Sequence, residues 1–417
     1  MCTSFSPGND PSEDASELGA RTPQDGPATT GRRALLGGAL GSAAALALTA
    51  ATSSSARAAE PTTTLAVRSH RPDARTKAVL VGTAGGPIWR QAAGRRGIST
   101  VIEVEGARYL VDAGHGSAAG LFASGLIGPT DGKNDLTAFR AGFITHLHSD
   151  HVTDLATFLV QGFIAGGLGT MRAPFTVWGP GDRGALPRPF PPGRPAPEAF
   201  NPSNPTPGTA STVTQLLAAY AADVNDRMFD AGSPRIDQVI VGKDIALPAT
   251  VAANLTGPPP GMRPFAVYED DRVAVRATLV DHGQMVPSYA FRFDSDHGSL
   301  VISGDTTLTP NLLELADGCD VLLHEVIDYD TIVASINALS VPEPVKEAFR
   351  NHMFGAHTTE KQLAELLASI ELRTLVLHHL VPGAIDRGGW ARVAQRLDRV
   401  SRATVLVGED GMTVGAG

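Results

Sequence analysis

At 417 residues the chain has room for two average domains or one large α/β domain, and an apolar share of 42% supplies a sizeable core. A formal net charge of −9, with Arg far more frequent than Lys, argues against a broad basic surface for nucleic acid, which needs many phosphate-neutralising cations. The same balance is compatible with a small anionic substrate held at a metal.

The N-terminal stretch reads as a targeting segment rather than as part of the fold. Residues 1–30 are polar and low in complexity. Arg32 and Arg33 then precede a weakly apolar Ala/Gly/Leu run from Ala34 to about Ala51, followed by the small-residue stretch Ala56-Arg57-Ala58. This order predicts a twin-arginine signal peptide over residues 1–58, cleaved after Ala58, with 59–76 as a linker and 77–417 as the catalytic domain. The run is too poor in Leu, Ile and Phe for a permanent membrane span. The expected partner is therefore the twin-arginine export machinery, and the expected location is secreted, extracellular or periplasmic, with no stable span after cleavage. Of the two cysteines, Cys2 leaves with the signal and Cys319 remains, so no intrachain disulfide is expected. Cys319 precedes an apolar run and is expected in the core.

Beyond Thr63, β-rich runs alternate with helical patterns. Strands are predicted at Ala78–Gly82, Ser99–Val104, Tyr109–Asp112, Phe143–Thr145, Phe175–Trp178, Val273–Val280, Tyr289–Phe293, Leu300–Ser303, Val321–His324, Thr374–Leu377 and Thr404–Val407. Amphipathic helices are predicted at Val152–Ala165, Ser211–Met228 and Thr359–Ile370. In the middle one, Val213, Leu216, Leu217, Tyr220, Val224 and Met228 mark one apolar face. Nine of the twenty-one residues from Pro187 to Pro207 are proline, so the stretch 183–210 reads as an extended surface insertion.

The most constraining stretch is His146-Leu147-His148-Ser149-Asp150-His151, between a short buried strand and a helical pattern. Residues two apart aim at one point only where the backbone is extended or turning. His146 and His148 thus suit one metal ion, and Asp150 and His151 a second. Nitrogen and carboxylate ligands without thiolate suit zinc, with manganese or iron as alternatives. Three further candidates close β-rich runs: His282 in Val-Asp-His-Gly, Asp305 in Ser-Gly-Asp-Thr and His379 in Leu-His-His-Leu. All three are placed to converge on one edge of a sheet sandwich, where two carboxylate oxygens suit Asp305 to bridge two metals.

Taken in order, these motifs resemble the metallo-β-lactamase superfamily, and within it the branch of tRNase Z, secreted arylsulfatases and related phosphodiesterases. The likeness spans about residues 77–410. It rests on Gly82-Thr83-Ala84-Gly85-Gly86-Pro87, Leu110-Val111-Asp112-Ala113-Gly114, the 146–151 cluster, Ser303-Gly304-Asp305-Thr306, His324-Glu325, His357-Thr358-Thr359 and Leu377-His378-His379. The glycine-rich loop reads as a turn rather than a phosphate cradle.

The resemblance implies an αββα four-layer sandwich with two Zn2+ ions. It puts His146, His148, His282 and bridging Asp305 on one, and Asp150, His151, Asp305 and His379 on the other. His378 stands where the family usually has Thr, which makes it a substitute ligand or a partner behind the ligands. The resemblance further implies His357 as general acid paired with Glu325, Asp150 as the group that orients a metal-bridging hydroxide or takes its proton, and a homodimer as a common assembly. His115 is expected at the substrate entrance, and His70, His297 and His352 as ordinary surface or loop residues.

The function expected is hydrolysis of a phosphodiester or aryl sulfate ester. The lack of a basic arm favours a small ester over RNA, and the resemblance points the same way, since a Trp178-Gly179-Pro180 strand end followed by a helix is also seen in arylsulfatase-like members. Alternatives are a lactonase or other carboxylic ester or amide hydrolase, a ribonuclease Z-like endoribonuclease, and a metal-binding protein that retains the fold without catalysis.

Overall fold

Runs rich in Val, Ile, Leu, Phe and Tyr build two extended sheets, as expected of residues that pack well on pleated surfaces. The computed structural model describes residues 69–87, 94–130, 133–164, 174–189, 193–252, 255 and 257–417. The signal peptide and most of the linker fall outside these residues.

The first half supplies β1 (Thr76–Gly82), β2 (Ser99–Val104) and β3 (Ala107–Val111). A small pair follows, β4 (Pro129–Thr130) and β5 (Lys133–Asn134), then β6 (Phe139–Phe143), β7 (Phe175–Gly179) and β8 (Ile240–Asp244). The second half supplies β9 (Phe265–Glu269), β10 (Ala274–Leu279), β11 (Tyr289–Ser295), β12 (Gly298–Ile302), β13 (Cys319–Ile327), β14 (Leu372–Val381) and β15 (Thr404–Val407). The last strand, β16 (Thr413–Gly415), returns to the first sheet.

The strand orders are β16-β1-β2-β3-β6-β7-β8 and β15-β14-β13-β12-β11-β10-β9. Both sheets follow one plan. Neighbours are antiparallel from β16 to β3 and parallel from β3 to β8. They are likewise antiparallel from β9 to β12 and parallel from β12 to β15. Between the sheets lies a dry core that includes Tyr109, Phe143, Tyr289, Phe291 and Phe293. The outer faces carry helices over two further apolar clusters, one around Phe139, Phe158 and Phe175, the other around Leu322, Leu366 and Trp390. This is the αββα sandwich.

The parallel strands point their C-terminal ends to one rim, the usual place for a ligand site in such sheets. At the opposite rim Asp270 gathers the hydroxyls of Tyr109 (2.8 Å) and Tyr268 (2.9 Å), an Arg140 amine (3.3 Å) and two backbone amides. Glu105 pairs there with Arg75 and Arg272.

Some predicted elements move. The strand expected at Phe143–Thr145 ends at Phe143, because Ile144 and Thr145 already turn toward the histidine cluster. The single helix expected over Ser211–Met228 is two helices, Thr209–Ala219 and Ala221–Ala231, broken where Tyr220 leaves helical geometry (ψ 16°). The helix expected from Val152 is one turn at Ser149–Val152, a π-helical stretch at Thr157–Gln161 and a short turn at Gly162–Ile164, with Ala165 outside the described residues. Strands β4, β5, β8, β9 and β16 had no prediction. The run expected at Thr374–Leu377 extends to Val381 and so includes both His378 and His379. Cys319 opens β13 and is buried. No described helix is long and apolar enough to cross a membrane.

Candidate metal centre

Among the described residues, four overlapping groups of donors converge at the rim where the parallel strands end, two of them (His282, Asp305 and His357; Glu325, His357 and His379) sharing members with the two that matter most. His146, His148 and His282 form the first, and Asp150, His151, Asp305 and His379 the second. Asp112 follows β3, the 146–151 cluster follows β6, His282 follows β10 and Asp305 follows β12, while Glu325 and His379 sit in the last turns of β13 and β14. Gly304 adopts φ +59°, and a Cβ there would lie 2.5 Å from the Tyr289 carbonyl oxygen. Only glycine makes that turn at so close an approach, and the turn aims Asp305 inward.

In the first group His146 Nε2 lies 3.0 Å and His282 Nε2 3.1 Å from His148 Nδ1. In the second, His379 Nε2 lies 3.2 Å from His151 Nε2, 3.3 Å from Asp150 Oδ2 and 3.2 Å from Asp305 Oδ2. Asp305 Oδ2 also stands 3.9 Å from His146 Nε2 and 3.8 Å from His282 Nε2, so one carboxylate faces both groups.

The donors fit a pair of metal ions. Ligands about 2.0–2.1 Å from a tetrahedral zinc stand roughly 3.3 Å apart, close to the spacings observed. Asp305 Oδ1 and His379 Nδ1 are buried without a hydrogen-bond partner, a cost that one hydrogen-bonded neighbour or a cation removes. Burial keeps the first group neutral, as metal binding requires: His146 falls well below its usual range, His148 to about 4 and His282 to about 3. Burial opposes ionisation of Asp150 and Asp305, but the surrounding imidazoles outweigh it and hold both carboxyls low. His151 is the exception. Burial disfavours its charge, yet Asp305, Asp112 and Asp150 together raise it well above the usual imidazole range.

Behind the donors a supporting layer fixes which ring nitrogen faces inward. His282 Nδ1 donates to the Ala356 carbonyl (2.8 Å), leaving Nε2 for a metal. His151 Nδ1 donates to Asp112 Oδ2 (2.8 Å), and Asp112 is itself held by the Thr145 amide and hydroxyl, both at 2.8 Å. Asp112 and His379 are non-glycine residues with positive φ, +57° and +40°. Such strain persists where surrounding contacts over-determine it, and it clusters at functional sites. The sequence motif contained Asp112 but gave it no task; its place directly after a strand, in Asp-Ala-Gly, was the available signal. Replacing Asp112 with Asn is expected to lower zinc affinity roughly 10–100-fold while the chain stays folded. Competition against a chromophoric chelator measures this; an unchanged affinity would make Asp112 a loop brace only.

The glycine-rich loop does more than turn the chain. A Cβ at Gly85 would lie 2.4 Å from His379 Cε1 and Nδ1, so the loop backbone lies directly against that ring. The Gly86 amide donates to Asp150 Oδ2 (2.9 Å).

Between the two imidazoles at sequence positions 378 and 379, the structure brings only His379 into the donor groups. His378 is buried behind them, 3.3 Å from Thr100 Oγ1, and burial lowers it to about 3.

His357 and Glu325 meet beside the second group. His357 Nδ1 donates to Glu325 Oε1 (3.2 Å), which also accepts from the amides of Thr358 (2.9 Å) and Thr306 (3.2 Å). Burial alone would depress His357, but the Glu325 carboxylate more than offsets it and raises the imidazole to about 9. Glu325 itself is raised by burial. The His357 ring packs 5.1 Å from that of His282 and 5.9 Å from that of His379, between the two groups.

His115 is exposed, and the structure does not bring its ring into a donor group. His70, His297 and His352 also lie outside the donor groups, His297 beside Glu105 at 3.5 Å.

Comparison with known proteins agrees with this geometry. A family model described as the metallo-beta-lactamase superfamily matches residues 94–222, the stretch that carries Asp112 and the 146–151 cluster. Ribonuclease Z of Mycobacterium marinum is 29% identical over 315 residues, covering 73% of this chain and 86% of that protein. Ribonuclease Z of Mycolicibacterium gilvum is 28% identical over 340 residues, covering 79% and 93%. Among solved structures, the short form of human tRNase Z aligns with a TM-score of 0.49 at 16% identity, over 82% of this chain and 99% of that one. The chain has the metallo-β-lactamase fold, is similar to the metallo-beta-lactamase superfamily over residues 94–222, and carries at one rim the histidine and aspartate donors of a metal-dependent hydrolase.

Proposed function

We propose that the chain is an exported di-zinc hydrolase of a small anionic ester, a phosphodiester ahead of an aryl sulfate. The convergence of both donor groups on Asp305, with the His357–Glu325 pair beside them, is the observation that carries the reading. Relatives named ribonuclease Z support the phosphodiester arm, since a ribonuclease breaks that bond. The net charge of −9 favours a small diester over a folded RNA. The twin-arginine pattern at Arg32-Arg33 supports export.

Two metal ions bound here would supply Lewis acidity and a water of lowered pKa. The chain's own groups do the rest. Asp150, held ionised and fixed by the Gly86 amide, accepts a hydrogen bond from the attacking water and orients it. His357 donates a proton to the leaving oxygen, and Glu325 keeps that imidazole charged and aimed.

The test is side-by-side hydrolysis of an aryl phosphodiester, the matching aryl sulfate and a lactone by the zinc-loaded mature chain. The expected order is phosphodiester first, then sulfate, with the lactone slow. Turnover of the lactone alone would transfer the chain to the carboxylic ester class.

A further inference from the structure

Among the described residues, Arg183 at the rim that carries the metal centre has no counter-charge. Strands β6 and β7 run parallel with Phe143 opposite Trp178, and His148 and Arg183 each lie five residues beyond that pair. The segments carrying His148 and Arg183 therefore leave the first sheet from the same rim. The Arg183 side chain then crosses to the second sheet, where Nη1 donates to the Gln284 carbonyl (2.6 Å). Gln284 lies within the turn from His282 to Met285, closed by the Met285 amide on the His282 carbonyl (3.1 Å). The guanidinium thus ties the segment after β7 to the turn that carries His282.

Its charge is unanswered. Among the described residues no carboxylate pairs with Arg183, and burial alone acts on its ionisation, lowering it. Nε is buried without a hydrogen-bond partner. The adjacent carboxylate, Asp182, is engaged elsewhere, accepting from the Gly184 amide (2.8 Å) and the Thr206 hydroxyl (2.5 Å). Arg276 and Arg396, by contrast, are paired with Asp294 and Glu360. A partly desolvated guanidinium without an anion is unfavourable, and its forked donors match the oxygens of a phosphate or sulfate.

We infer that Arg183 is the group by which the site recognises negative charge on its substrate, taking an unreactive oxygen of the anionic ester while the ester centre sits at the metal donors. The inference rests on the anionic-ester reading above. It makes Arg183 a binding residue that separates charged esters from neutral ones, so its loss acts on KM more than on kcat.

The experiment compares zinc-loaded wild type with Arg183→Gln, which keeps a donor for the Gln284 carbonyl but loses the charge, and Arg183→Lys, which keeps the charge. Zinc content, kcat and KM for an aryl phosphodiester, and inhibition by inorganic phosphate are measured for each. The glutamine variant is expected to raise KM and the phosphate inhibition constant roughly tenfold, with kcat and zinc content little changed. The lysine variant should recover most of the loss. Unchanged KM and inhibition in Arg183→Gln would overturn the inference. So would a fall in kcat together with zinc loss, which would make Arg183 a strap for the His282 turn. If wild type neither cleaves the diester nor binds phosphate, the functional reading itself fails. If wild type does both and Arg183→Gln matches it, only the inference fails.

Discussion

Exchanging Asp305 for alanine is expected to leave fewer than two zinc equivalents per chain and to cut turnover by a factor on the order of a thousand or more, about 4 kcal/mol of barrier. The size follows from position. Asp305 Oδ2 is 3.2 Å from His379 Nε2 and 3.8 Å from His282 Nε2, so the same oxygen faces both donor groups. Without it, the first group retains three neutral imidazoles, and the second retains Asp150, His151 and His379 with one carboxylate fewer. His151 would also lose the largest of the carboxylate effects that raise it. Metal analysis after dialysis, run beside kinetics and a circular dichroism spectrum, decides the matter. Two retained zinc ions with turnover within about tenfold of wild type, or 1.4 kcal/mol, would show the two groups to be independent and Asp305 not to bridge them.

Removing the His357 imidazole is expected to have the second largest effect, and one that depends on the substrate. A general acid contributes typically 10²–10⁴-fold, and the contribution shrinks when the leaving group departs without help. His357→Ala should therefore slow an alkyl diester, whose alkoxide needs a proton, by roughly a thousandfold. A nitrophenyl diester should slow far less. The structural grounds are the 3.2 Å bond to Glu325 and the upward displacement to about 9, which keeps the ring protonated at neutral pH. Burial depresses the ring first, so the charge depends on Glu325 remaining ionised. A plot of rate against leaving-group pKa for both proteins gives the answer. Parallel lines would remove His357 from the proton-donor role and leave it as a brace for the Thr358 loop.

Much of the site was legible because metal ligands are chemically conspicuous. Histidines and aspartates at the ends of apolar runs stand out against Val, Ile and Leu, and the spacing in 146–151 calls for an extended or turning backbone. Asp305 and His282 were visible for the same reason. What the sequence hid were contacts made by ordinary residues through geometry. Gly85 looked like a turn former, yet its lack of a side chain is what lets the loop lie against His379. Asp112 looked like one member of a motif, and only the fold brings it 2.8 Å from a ring thirty-nine positions away. The choice between His378 and His379 was open for a related reason. A strand sends successive side chains to opposite faces, so one of the two had to turn away, but no pattern says which. The broken helix at Tyr220 and strands β4, β5, β8, β9 and β16 were missed because short edge elements carry weak periodicity.

The Asp270 cluster lies where the strands begin, and the donors lie where they finish. Strands β3 and β6 therefore have a floor that holds them and a mouth that uses them, with the aromatic core between. Changes at the floor alter how firmly the two halves are joined, while changes at the mouth alter what is bound and cleaved. Selection can tune durability and chemistry in this chain almost independently, because the residues that serve each purpose share strands but not neighbours.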